Sequence, residues 1–155
     1  MKTILIMRHG EAQALRSTDA NRELTEHGVQ QAQHMATWLK QHYQVDAALI
    51  SPFVRAQQTA AQVLQPQSPQ FVETCEDIVP SGTANTAIDY LETLISLNPQ
   101  LNTWLLVAHM PIVSYLVDQL CPDNMPIFNT AAIAVINYNE ESGRAEFVAM
   151  ETPER

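Results

Sequence analysis

The sequence predicts a three-layer α/β/α sandwich around a mostly parallel central sheet with at least one antiparallel strand. Three observations carry that expectation. Short apolar runs alternate with segments of helical periodicity, the order that builds βαβ units. The runs are unbroken rather than alternating, as in strands covered on both faces. The last quarter of the chain drops the helical pattern and reads as a hairpin, which adds the antiparallel strand. At 155 residues with 46 % apolar composition, the chain fits one domain spanning 1–155 and can bury a core without disulfides or metals.

The elements follow in order. Ile4-Leu5-Ile6-Met7 is the first apolar run. Thr25 can cap a helix over 26–42, in which Val29, Ala32, Ala36 and Leu39 recur at spacings of three and four. Ala47-Ala48-Leu49-Ile50 is the second run. A helix over 53–64 follows, with Pro52 at its start and Pro66 beyond its end. Gln70 to Thr74 reads as a weaker strand. A helix over 87–97 presents Ile88, Leu91 and Ile95 on one face and stops at Asn98-Pro99. Leu105-Leu106-Val107-Ala108 is the third strong run, and Pro111 opens a last helix that stops before Pro122. The hairpin pairs 131–138 with 145–150 across Asn139 to Arg144.

Charge and composition exclude several functions. Eight basic against seventeen acidic residues give a net charge of −9, which disfavours nucleic acid and anionic membranes as partners. No apolar run approaches the ~18 residues of a membrane span, and the N-terminus lacks the features of a signal peptide, so a cytoplasmic protein is expected. Cys75 and Cys121 form no CxxC motif and read as reduced, half-buried thiols. No metal-ligand spacing and no Walker A loop occur, so neither a metal nor another cofactor is expected.

The chemistry collects after the strong strands. Arg8-His9-Gly10 follows the first run, Ser51-Pro52-Phe53-Val54-Arg55 the second, and His109-Met110-Pro111 the third. Sites in open α/β sheets form beyond the carboxyl ends of the strands. Two histidines and two arginines therefore arrive at one edge from three separate stretches of chain. Four of the six arginines, Arg8, Arg16, Arg22 and Arg55, fall within or near that edge, although Arg16 has no motif support and reads as a loop residue. Guanidinium groups match phosphate oxygens bidentately, so a small phosphate-like anion is the expected ligand. One histidine can act as a neutral nucleophile while the other stabilises the transferring phosphoryl group.

These residues resemble the histidine phosphatase superfamily, also called phosphoglycerate mutase-like. The matching stretches are Ile6-Met7-Arg8-His9-Gly10-Glu11, Arg22-Glu23-Leu24-Thr25-Glu26-His27-Gly28, Ser51-Pro52-Phe53-Val54-Arg55-Ala56-Gln57-Gln58-Thr59-Ala60 and Val107-Ala108-His109. The short length, His109-Met110-Pro111-Ile112-Val113 and Leu120-Cys121-Pro122 are most similar to the small SixA-type branch of protein phosphohistidine phosphatases. The resemblance implies a phosphoglycerate mutase-like fold and a signalling hydrolase. His9 would be the phosphorylated nucleophile, Arg8, Arg55 and His109 would hold the phosphoryl oxygens, and Arg22 would be an extra basic residue at the pocket. Thr59 matches the pattern but reads as a helix-packing residue. His27, His34 and His42 have no matching motif and read as solvated.

Two departures shape the expected substrate. Relatives with acid phosphatase activity carry His-Asp where this chain has His109-Met110. The other usual proton donor follows the third strand, where Glu76 or Asp77 is the candidate general acid. A site with a weak acid suits cleavage of N–P bonds better than of O–P bonds, because an imidazole is expelled far more easily than an alkoxide. About 15 residues separate Gly10 from the first helix cap, too few for a covering insertion, so the pocket is expected to be open. An open pocket admits a phosphohistidine on another folded protein, such as a helical histidine phosphotransfer domain. The alternatives are a small-molecule phosphomonoesterase or phosphotransferase on the same fold and a non-catalytic phosphate-binding adaptor.

Overall fold

The computed structural model describes residues 1–15 and 18–153; Arg16 lies outside the described residues. Twelve elements run in the order β1 (Lys2–Arg8), a 3₁₀ turn (Asp19–Asn21), α1 (Glu26–His42), β2 (Ala47–Ile50), α2 (Val54–Leu64), β3 (Phe71–Thr74), a second 3₁₀ turn (Glu76–Ile78), α3 (Ala84–Leu97), β4 (Thr103–Ala108), α4 (Ile112–Leu120), β5 (Ile133–Tyr138) and β6 (Ala145–Glu151). The six strands form one sheet in the order β3-β2-β4-β1-β5-β6. β3, β2, β4 and β1 are mutually parallel, while β5 runs antiparallel to both β1 and β6.

The unbroken apolar runs are explained by two cores, one on each face. Ile4 and Ile6, Ala47 and Leu49, and Trp104, Leu106 and Ala108 point into a core built with α3 and α4. Leu5 and Met7, Ala48 and Ile50, and Leu105 and Val107 point the other way, into a core built with α1 and α2. With a side-chain period of two, a strand buried on both faces must be apolar at every position. The alternation is legible at the β6 edge instead, where Glu146, Val148 and Ala149 are exposed.

α1 begins where the sequence places it, because the Thr25 hydroxyl accepts a hydrogen bond from Gly28 N–H at 2.9 Å and satisfies one of the free donors of the first turn. Its buried stripe is Gly28, Ala32, Met35, Ala36 and Leu39, whereas Val29 is only half-buried. α3 starts at Ala84, three residues before the expected start; Asn85 and Thr86 of its opening turn are exposed, while Ala84 is half-buried against the core. Ala131 and Ala132 belong to a turn and not to β5; Ala131 has φ +63°. Cys75 and Cys121 are free and fully buried, a tighter environment than half-buried thiols. No helix among the described residues is long and apolar enough to cross a membrane.

The topology prepares a crevice. From β1 the chain leaves over one face through α1 to β2, and from β4 it leaves over the other through α4 to β5. β1 and β4 are neighbours, so their following loops part company at one point of the sheet edge. Such a switch point is where open α/β sheets bind ligands.

Candidate active site

The β1–β4 ladder delivers the two histidines side by side. Arg8 pairs with Ala108, and His9 N–H donates to the Ala108 carbonyl at 3.0 Å, so His9 and His109 both sit one residue beyond their strands. Their ring centroids are 5.2 Å apart. The His9 carbonyl accepts from Ala131 N–H at 2.9 Å, which fixes its backbone from the other side.

The His9 ring has an assignable tautomer. Nδ1 lies 2.6 Å from the Gly10 carbonyl oxygen, which can only accept, so Nδ1 carries the proton. Nε2 then holds the lone pair and accepts from Arg55 Nε–H at 3.2 Å. Burial, opposed by the Gly10 hydrogen bond and aided by Arg55 and Arg8, pushes the His9 pKa down to about 4. The ring is therefore neutral at pH 7, with a bare Nε2. Gly10 is itself held: its N–H donates to Thr59 Oγ1 at 3.0 Å, and the adjoining peptide N–H of Glu11 donates to Gln31 Oε1 at 2.8 Å. A Cβ at residue 10 would fall 2.6 Å from the Gly28 carbonyl oxygen, so this close approach of loop to helix requires glycine.

Arg55, the second residue of α2, is buried and turns its guanidinium onto three partners. Besides His9, Nη1 donates to the Asp19 carbonyl at 2.7 Å and Nη2 to Asp19 Oδ2 at 3.1 Å. Arg22 donates from Nη1 to Asp19 Oδ1 at 2.9 Å and from Nε to the Gln13 carbonyl at 2.8 Å. Asp19 thus bridges the two arginines, and Arg22, then Arg55, holds its carboxyl below the usual carboxylate range against a desolvation effect in the other direction. The loop carrying Asp19 is drawn in by an isolated bridge between Ala12 and Leu24 and by Leu24 N–H donating to Gln58 Oε1 of α2 at 2.8 Å. Arg8 donates from Nη1 to the Phe128 carbonyl at 2.8 Å, while its buried Nε has no hydrogen-bond partner among the described residues. Burial and then the nearby Arg55 lower its pKa.

His109 is more deeply buried than His9. Burial, then His9 and Arg55, push its pKa down to about 3, with Asp19 opposing. Its Nε2 lies 2.7 Å from Ser51 Oγ, and Nδ1 is buried without a partner among the described residues. The Phe53 ring packs edge-on against it at 5.1 Å and also lies 5.2 Å below the Arg55 guanidinium.

The structure thus gathers Arg8, His9, Arg55 and His109, with Arg22 attached through Asp19. It makes no such connection for the candidate acids. Glu76 is exposed and Asp77 half-buried in the turn after β3, and neither has a hydrogen bond or ion pair to these residues. Asp19 is the carboxylate whose charge reaches His109. His34 and His42 are solvated on α1; His27 is exposed too, at the mouth of a cavity of about 550 Å³ that Arg8, Gln31 and Asn129 also line. A cavity of about 610 Å³ between α1 and α2, at Gln33, Lys40 and Gln62, includes none of the site residues. Among the described residues no cluster of three or more His, Cys, Asp or Glu could hold a metal ion. Sequence reasoning missed Asp19, whose one local signal is its i,i+3 spacing from Arg22, and it read Thr59 as packing when its hydroxyl is what holds Gly10.

Known proteins resemble this chain over most of its length. The family model described as Histidine phosphatase superfamily (branch 1) matches residues 4–78. The Phosphohistidine phosphatase SixA of Escherichia coli (strain K12) is 37 % identical over 147 residues, covering 93 % of this chain and 89 % of that protein. The Phosphohistidine phosphatase SixA homolog of Haemophilus influenzae (strain ATCC 51907 / DSM 11121 / KW20 / Rd) is 40 % identical over 141 residues, covering 84 % and 85 %. A solved structure of the protein histidine phosphatase SixA complexed with tungstate superposes with a TM-score of 0.90 at 36 % identity, over 97 % of each chain.

Proposed function

Because this chain belongs to the histidine phosphatase superfamily, we propose that it is a protein phosphohistidine phosphatase acting through a covalent phosphohistidine at His9. The observation that carries this reading is the His9 ring: neutral, desolvated, protonated at Nδ1 and bare at Nε2, between Arg8 and Arg55. Nε2 attacks phosphorus in line. The N–P bond of the substrate breaks and its electron pair goes to the donor imidazole, which leaves as a neutral ring when its other nitrogen carries a proton. Arg55 shifts its Nε–H from Nε2 to a phosphoryl oxygen, and Arg8 and His109 take up further oxygens. Arg22 adds positive charge at the pocket through its tie to Asp19.

The second half returns the enzyme. Water attacks the phosphorus, the N–P electrons return to Nε2, and the product is inorganic phosphate. His9 needs no added proton to leave, because Nδ1–H stays on the Gly10 carbonyl throughout. The tetrahedral oxyanion bound in the 36 % identical structure supports a cradle of this kind here.

The donor is best taken as a histidine on a folded protein, of the helical histidine phosphotransfer type. Expelling an alkoxide calls for a general acid that contributes roughly 10²–10⁴-fold. Asp19, ion-paired and with its pKa lowered, stays deprotonated and serves poorly as one. The setting is cytoplasmic, which the free buried thiols of Cys75 and Cys121 support. The test is phosphate release from a phosphorylated histidine phosphotransfer domain beside a simple phosphomonoester, with His9→Ala as control. Release from the phosphoprotein that depends on His9 and persists in excess EDTA is expected. Release from the ester alone would move the protein to the phosphomonoesterases.

A further inference from the structure

His109 shares its hydrogen bonding with a residue that has no role so far. Ser51 follows β2 immediately and lies 58 positions from His109 in sequence. The two are 0 % and 1 % exposed, so no water competes for their contact. Ser51 Oγ already accepts from Phe53 N–H at 3.2 Å, and His109 Nε2 lies 2.7 Å away. Among the described residues the Ser51 hydroxyl proton has no acceptor other than that nitrogen. The reverse arrangement, with Nε2–H donating to Ser51, would strand the hydroxyl proton in the interior. It would also turn a bare Nδ1 lone pair on any incoming phosphoryl oxygen. Buried polar hydrogens are rarely left unpaired.

We propose that Ser51 is a positioning residue that holds His109 as the Nδ1–H tautomer, so that a neutral, buried imidazole offers its single N–H to a phosphoryl oxygen. The unpartnered Nδ1 is then a donor waiting for its acceptor. The charged groups acting on this ring are Arg8 from β1, Arg55 from α2 and Asp19 from the loop after β1, with His9 beside it. The arginines supply the positive charge, and His109 supplies a directed hydrogen bond. The kinetic part of this inference rests on the proposed phosphohistidine reaction; the tautomer does not.

The test uses the full chain labelled with ¹⁵N-histidine, read by long-range ¹H–¹⁵N correlation at pH 7 without substrate, with His109→Asn to assign the ring. A neutral Nδ1–H pattern for His109 is expected. Ser51→Ala should shift the ring toward Nε2–H and lower kcat on a phosphorylated histidine phosphotransfer domain by about tenfold with little change in KM, the split expected when a transition-state contact is lost. Ser51→Thr, which keeps the hydroxyl, should restore both. An Nε2–H or imidazolium pattern in the unmodified protein overturns the proposal, as does an unchanged Nδ1–H pattern in Ser51→Ala. If Ser51→Ala fails to fold, the unmodified protein and Ser51→Thr still decide. Absence of His9-dependent turnover would sink the proposed reaction and leave the ring assignment standing.

Discussion

Asp19 places a carboxylate 3.1 Å from the Arg55 guanidinium, on the fork proposed to grip a phosphoryl group. Its side chain is 46 % exposed, so solvent screens the charge but does not remove it. Asp19→Asn keeps the backbone carbonyl contact and deletes the charge. It is expected to tighten orthovanadate binding about three- to tenfold, measured by inhibition; weaker binding would mean that the carboxylate chiefly orients Arg55. A second prediction concerns His9. Its ring should remain neutral down to about pH 4, so a ¹⁵N titration should show no protonation near the ordinary value of 6.5. Arg8, His9, Arg55 and His109 were legible in the sequence because each follows an apolar run and so must reach the same edge. Asp19 was not, because its contact with Arg55 spans 36 positions and comes from a loop with no periodicity.

At the scale of elements, the start of α1 and the loop carrying His9 form one joint. Gly28 sits so close to that loop that a Cβ would fall 2.0 Å from the Glu11 carbonyl oxygen. Gly28→Ala must push the loop away, and it should lower turnover more than stability, since the Gly10 carbonyl in that loop orients the His9 ring. Thr25→Ala removes the cap and should cost about 1 kcal/mol in chemical denaturation. Thr25→Ala also removes the hydroxyl's 2.8 Å bond to Glu11 Oε1, so it loosens the joint from the helix side without forcing the loop away. Caps and apolar stripes made α1, α2 and α4 readable to within two residues. The opening turn of α3 was not, because Asn85 and Thr86 are exposed and Ala84, although it packs against the core one turn before Ala87 and Ile88, is too small to mark a start. The end of the hairpin nearest the site was misplaced because Ala131 and Ala132 are apolar and buried although they form a turn.

Across the whole molecule, two buried histidines make stability depend on pH. Their folded pKa values, about 4 and about 3, lie below the unfolded value of 6.5. The unfolded chain therefore takes up protons first as pH falls. The neutral-histidine contribution is complete above pH 6.5 and is lost progressively from there toward pH 3–4, at about 1.4 kcal/mol per pH unit for each ring. Tm should fall over that window, and the double variant His9→Ala, His109→Ala should flatten the fall. The layered fold was readable because doubly covered strands leave no choice of residue type. The strand order was not, because sequence does not say which parallel neighbour β1 takes.

That neighbour is β4, and the opposite side of β1 is taken by β5, so Leu5 lies between Leu105 and Val135. The strand that leads to His9 is thus flanked on both sides by strands from far along the sequence. Until β4 and β5 are both in place, Arg8 and His9 have no complete sheet to stand on. Folding of this edge therefore waits on long-range pairing, and contacts of high sequence separation form slowly. The proposed active site is thereby coupled to the completed sheet, and a partly folded chain would lack it.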